Sequence, residues 1–141
     1  MTCQAKHFRL HFNHGGLIAM NNPVGWFEIY VQDTARAKAF YENVFALKLD
    51  KLDMPDVEMW TFPMHEEAIG ASGAIIKMEG YASGGNGILI YFSCEDCAVE
   101  EGRVAENGGE VVKGKSSIGE YGFIALVKDT EGNMIGLHSR V

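Results

Sequence analysis

A carboxylate, a phenol and an imidazole are the groups in this chain best suited to moving a proton, and two of them share one short run. In WFEIYVQD (residues 26–33), strand alternation puts Trp26, Glu28 and Tyr30 on one face and Phe27, Ile29 and Val31 on the other. His138 stands in the last apolar run, MIGLHSRV. A carboxylate and an imidazole brought together can run general acid–base chemistry without a metal, and Tyr30 would assist. Structural roles compete for the same residues. Glu28 can be a carboxylate hydrogen-bonded to tyrosine or backbone donors, and His138 a satisfied or exposed histidine.

Two further clusters hold ligand-type residues. Cys94-Glu95-Asp96-Cys97 is a CxxC at a strand-to-helix junction, where a helix N-terminus can stabilise a thiolate. Its flanking acids oppose that stabilisation, and a zinc site would need a second cysteine pair that the chain lacks. His7, His11 and His14 would share a face of a helix and could hold a cation, but Gly15-Gly16 and the surrounding composition argue against a stable helix. His65, in MHEE, reads as an exposed turn residue.

The elements that position these residues are stated twice. A strand ending at Asp33 is followed by the helix TARAKAFYENVF. The order recurs 63 positions later, where a strand ends at Asp96 and a more polar helix runs to Asn107 before Gly108-Gly109. The same offset carries Gly73, which opens the strand GAIIKM, onto Gly136. Short strands are predicted near 47–52, 57–62 and 73–78, then 88–94, 110–113, 121–127 and 134–138. Ala37, Phe40, Tyr41 and Val44 make one apolar stripe on the first helix; Cys97, Val104 and Ala105 make a thinner one on the second. Between the halves, GYASGGNG precedes a strand and opens no helix, so it reads as a crossing rather than a phosphate cradle.

Residues 1–20 do not resemble the rest and are expected to form a weakly ordered extension, with Met20 a natural start for the domain, or else an arm that packs on a partner subunit. Residues 21–141 form one domain: module one at 21–79, a linker at 80–86 and module two at 87–141. The 141 residues carry 12 basic and 19 acidic side chains, a net charge of −7, with no basic block. That excludes the positive footprint which nucleic acid or an anionic membrane requires. No apolar run approaches a membrane span and no secretory core is visible. Three cysteines suit a reducing, cytoplasmic compartment.

The Asp33 strand end, the AFYENVF helix, the repeated junction at Asp96 and the DTEGN turn before a last strand resemble the vicinal oxygen chelate superfamily. It holds glyoxalase I, bleomycin-resistance proteins, extradiol dioxygenases and fosfomycin-resistance proteins. NPVGWFEIYVQD, MEGY…GGNG and IGEYGFIALVKDTEGNMIGLHS look, more narrowly, like a glyoxalase-related group of small bacterial proteins. The resemblance implies an α+β fold of two βαβββ modules, a curved mixed sheet with a central cleft, and a homodimer. Metal-dependent members hold a divalent cation on the first and last strands of each module. The matching positions here are Trp26, a residue at or beside Gly73, Leu89, and a residue at or beside Gly136, none with a ligating side chain. No cofactor is therefore expected, although a divalent metal on other ligands, Glu28 and His138 among them, is a rival reading.

With Trp26 facing the cleft, alternation brings Glu28 and Tyr30 with it, and Leu89, Tyr91, Ser93, Gly136 and His138 from the second half. Trp60, Tyr121 and Phe123 are expected to add aromatic walls. Such a pocket suits a small organic ligand. Glu120, Tyr121 and Gly122 read either as a loop over the cleft or as a tight turn that needs Gly119 and Gly122. The reading is a glyoxalase-related protein that binds a small molecule, or transforms it by metal-independent acid–base chemistry. Its rivals are a metal-dependent lactoylglutathione lyase-like or dioxygenase enzyme, and a ligand-sequestering resistance protein.

Overall fold

The computed structural model describes residue 22 and residues 24–85 and 87–141. The segment 1–20, with His7, His11 and His14, lies outside the described residues. Strand β1 (Phe27–Tyr30) leads to helix α1 (Thr34–Phe45), then β2 (Asp50–Met54), β3 (Val57–Thr61) and β4 (Gly73–Lys77). The order recurs as β5 (Tyr91–Ser93), α2 (Cys97–Val104), β6 (Glu110–Ser117), β7 (Phe123–Lys128) and β8 (Met134–Ser139). Each module is a four-stranded mixed sheet, ordered β1-β4-β3-β2 or β5-β8-β7-β6. The outer pairs β1/β4 and β5/β8 are parallel and the rest antiparallel.

The helices begin where the aspartates place them. The Asp33 carboxylate accepts from the Arg36 amide at 3.1 Å, and that of Asp96 from Ala98 at 3.0 Å, each satisfying an amide the helix itself leaves unpaired. α1 ends at Ala46, in the left-handed region at φ 52°. α2 tightens into a 3-10 turn, Ala105–Asn107, closed by Gly108 at φ 88°. One core joins both modules. Ile29, Phe40, Tyr41, Val44 and Ile75 of the first pack with Val104, Val127, Ile135 and Leu137 of the second. Each such side chain, fully buried, contributes about 1.5–3 kcal/mol.

The DTEGN turn between β7 and β8 clamps the modules. Asp129, buried, accepts from the Tyr41 hydroxyl at 2.7 Å and from the backbone amides of Glu131 and Asn133. Glu131, also buried, takes the amides of Gln32 and Asp33 at 2.9 and 2.8 Å and a bidentate pair from Arg36 at 2.7 and 3.0 Å. The Asn133 amide group donates to the Tyr30 carbonyl at 2.9 Å. A turn of module two thus satisfies the end of β1 and the start of α1.

The duplication is less regular than one offset implies. The 63-residue step holds from β1 to β5 and from Asp33 to Asp96 but fails at the last strands. β4 and β8 differ by one residue in their parallel pairing: Val31 donates to the carbonyl of Ile76, whereas Cys94 donates to that of His138. Gly73 therefore lies opposite Phe27 on the helix-facing side, and Ala74 is the residue that shares the outer side with Glu28. Gly136 lies opposite Tyr91 on the outer side. A one-residue slip turns a strand over, because side chains alternate with period two.

Candidate functional site

Alternation in β1 does what the sequence predicts. Phe27, Ile29 and Val31 enter the common core, and Trp26, Glu28 and Tyr30 line the opposite, outer face. There Met59, Ala74 and Ile76 form an apolar floor with Leu52, Val57 and Met78 packed around it. The Trp26 indole N–H donates to a Glu28 carboxylate oxygen at 3.5 Å. Tyr30 stacks on Tyr81, centroids 5.0 Å apart and planes 17° off parallel. Burial, then the charge of Glu28, then Tyr81 raise the Tyr30 pKa above its usual 10.0, so this hydroxyl stays a hydrogen-bond donor at neutral pH.

Beside the stack lies a hollow of about 460 Å³, lined by Gln32, Lys77, Met78, Glu79, Gly80, Tyr81 and Ala82. A second hollow, about 620 Å³, is formed by the single hairpin segment 51–58 and gathers no side chain from another element, so it has no built site.

On module two, Tyr91, Gly136 and His138 share the outer face, with Leu89 just before β5. These positions are open: Leu89 is 37%, Tyr91 46% and Tyr121 64% exposed. His138 Nε2 lies 2.8 Å from the Tyr121 carbonyl oxygen. A carbonyl only accepts, so this nitrogen carries the proton, which leaves Nδ1 as the acceptor of the neutral ring. The contact ties His138 to the 3-10 turn Gly119–Tyr121, where Gly122 N–H closes on the Gly119 carbonyl. Glu28 and His138 therefore stand on the outer faces of different sheets.

Two of the expected aromatic walls face the other way. Trp60 pairs with Ile75, a core residue, and lies on the helix side with the Lys38 ammonium 4.9 Å from its ring centre. Phe123 shares its face with Ala125 and Val127, packs on the core, and has Lys115 Nζ 4.7 Å from its ring centre. In each strand the residues beside the aromatic, not the aromatic itself, point outward, and only the strand register determines that parity. The residue that sequence reasoning missed is Tyr81, an aromatic in the glycine-rich crossing. Its chain neighbours gave no sign of the face it would cover.

The surroundings of the CxxC disfavour a reactive thiolate. Cys97 is fully buried, and its amide donates to Ser139 Oγ. Burial, then the charge and hydrogen bond of Glu100, push the Cys94 thiol up to about 12. Almost no thiolate exists at neutral pH, and the thiolate is the reactive form. Native protein should leave Cys94 and Cys97 unmodified by iodoacetamide at pH 7.5 over the time in which denatured protein reacts fully. Prompt alkylation of native protein would contradict this environment.

The donor set also fails the test for the divalent cation that the resemblance implies. Trp26, Ala74, Leu89 and Gly136 present no imidazole, carboxylate or thiolate. A Cβ at Gly136 would collide with the Tyr91 ring, which fills the space a longer ligating side chain would need. Among the described residues, no three His, Cys, Asp or Glu side chains gather. Nor is any described helix long and apolar enough to cross a membrane.

Among solved structures, the chain is similar to the hypothetical protein SA1046 of S. aureus (21% identity, 82% of this chain and 96% of that one, TM-score 0.64). It is similar to TnmS3, an antibiotic binding protein from Streptomyces sp. CB03234 (20% identity, 84% and 96% coverage, TM-score 0.62). A third likeness is to a glyoxalase I mutant from Zea mays (18% identity, 84% of this chain and 47% of that one, TM-score 0.66). At these identities the likeness is one of fold. No curated protein matches the chain. Residues 24–137 match the model of one family, and the chain belongs to it: the Glyoxalase/Bleomycin resistance protein/Dioxygenase superfamily.

Proposed function

We propose that the outer face of β1 binds a small planar organic molecule without a metal, with Glu28 as its polar anchor. The observation that carries this is the row Trp26–Glu28–Tyr30, an indole and a phenol around one carboxylate above an apolar floor, on a face whose expected metal positions hold no ligating side chain. A relative of the same fold described as an antibiotic binding protein is compatible with the reading. Acid–base chemistry is the second reading, favoured by the placement of a carboxylate and a phenol on one strand face: Glu28 would accept a proton while the Tyr30 phenol, held protonated, would hydrogen-bond the reacting group. His138 would contribute by holding the Gly119–Tyr121 turn in place.

The test uses Trp60→Phe protein, in which Trp26 is the one remaining tryptophan. A panel of planar aromatic compounds should include one that quenches it saturably. Glu28→Gln should weaken that compound by roughly 10- to 100-fold, as expected for a lost charge-assisted hydrogen bond. Silence across the panel would sink the binding reading. About one equivalent of Ni, Zn, Mn or Fe per chain in protein lacking residues 1–19 would sink its metal-free part.

A further inference from the structure

Tyr30 packs against the apolar floor of its sheet, and Tyr81 stacks on its ring. Tyr81 is itself 51% exposed and sits on the crossing between the modules rather than on a strand. A planar ligand that stacks on Tyr30 must therefore take the place of Tyr81. The attachments of Tyr81 suit it to moving. Its amide bonds to the Met78 carbonyl at 3.1 Å, and its carbonyl accepts from the exposed Gln32 side chain, also at 3.1 Å. Gly80 on one side and Gly84 on the other hold positive φ, +87° and +93°, and the Gly84 amide, which donates to the Asn133 side chain at 2.6 Å, anchors the far end of the segment.

We propose that Tyr81 is an internal competitor for the binding surface, a ring that occupies the Tyr30 platform and is exchanged for a planar, positively charged aromatic ligand. The charge follows from the surroundings. Glu28 lies within electrostatic reach of the Tyr30 hydroxyl, and Glu79 lines the adjoining hollow. Lys77, the one cation lining it among the described residues, stands opposite Glu58 in the strand register. A cation over an electron-rich ring beside two carboxylates gains from both. The 460 Å³ hollow next to the stack is large enough to receive the displaced phenol.

This inference rests on the binding reading above, and the test separates the two. Proflavine, a planar cation, is titrated against wild type, Tyr81→Ala and Tyr30→Ala, with anthracene-9-carboxylate as the planar anion and circular dichroism as the check on folding. Removing a self-stack should tighten proflavine binding roughly 2- to 12-fold in Tyr81→Ala, the range that a lost aromatic pair converts to. Tyr30→Ala should abolish it, and the anion should bind more weakly than the cation throughout. Unchanged or weaker binding in Tyr81→Ala would overturn the competitor role and make Tyr81 a spectator or a wall. Wild-type binding that survives Tyr30→Ala would overturn the platform but leave the binding reading standing. No binding of either probe by wild type or Tyr81→Ala would overturn both. Equal affinity for the two probes would overturn the preference for a cation.

Discussion

Replacing Glu131 with Gln is expected to lower the melting temperature by about 10 °C at neutral pH. Its carboxylate gathers two backbone amides, the Arg36 guanidinium and the Thr130 hydroxyl. A glutamine of the same length keeps one acceptor and turns an NH₂ toward donors. Disrupting one member of a buried, charge-assisted network costs about 3 kcal/mol, which for a domain of this size converts to that shift. The pH dependence gives the cause a second signature. Burial alone would raise the Glu131 pKa, but Arg36, the Asp33 and Gln32 amides and Thr130 outweigh it and hold the group at about 2. Because the folded value lies below the ordinary 4.5, the stabilisation is complete above about pH 4.5 and drains away as the pH falls toward 2. Wild-type and Glu131→Gln melting temperatures should thus converge between pH 5 and pH 2.5. A gap that stays constant across that range would show that the charge is not what the clamp uses.

Gly122→Ala should cost about as much by a different route, and Gly119→Ala is its control. Gly122 adopts φ 105° and ψ −131°, a region that residues with a Cβ avoid. An added methyl would overlap the Ser139 carbonyl oxygen and lie 3.0 Å from Arg140 Cα, both backbone atoms that cannot swing aside. Strain and overlap together predict a loss of about 3 kcal/mol or more and a frayed start to the β7–β8 pair, where Phe123 meets Ser139. Gly119 also has positive φ, 78°, but nothing stands within 4 Å of its absent Cβ. It should lose about 1 kcal/mol, the backbone term alone. Similar melting temperatures for the two variants, read by thermal unfolding, would refute the steric account. Glu120, Tyr121 and Gly122 lie in this tight turn, whose Tyr121 carbonyl the His138 ring contacts.

Local signals in the chain were legible where one residue determines its own surroundings. Asp33 and Asp96 cap the helices because an aspartate before an apolar stripe needs only the next three residues to act. The stripe Ala37, Phe40, Tyr41, Val44 is buried as its spacing requires. The row Trp26, Glu28, Tyr30 shares a face because strand alternation is a property of one strand. Trp60 and Phe123 face the core rather than the outer side because the face of a strand residue depends on the register with its neighbour. For those strands the alternation had no equally strong partition of apolar and polar residues to anchor it.

The sequence by itself therefore determined the duplicated βαβββ order, the helix caps, the family and the absence of ligating side chains at the expected metal positions, all of them consequences of residue type and short-range spacing. Tertiary structure alone decided the one-residue slip between β4 and β8, the joining of Glu131 and Asp129 to a helix nearly a hundred positions earlier, and the stacking of Tyr81 on Tyr30. Each of these is a pairing between segments far apart in the chain. Its energy comes from satisfying groups on both sides at once, and no window of the sequence contains both.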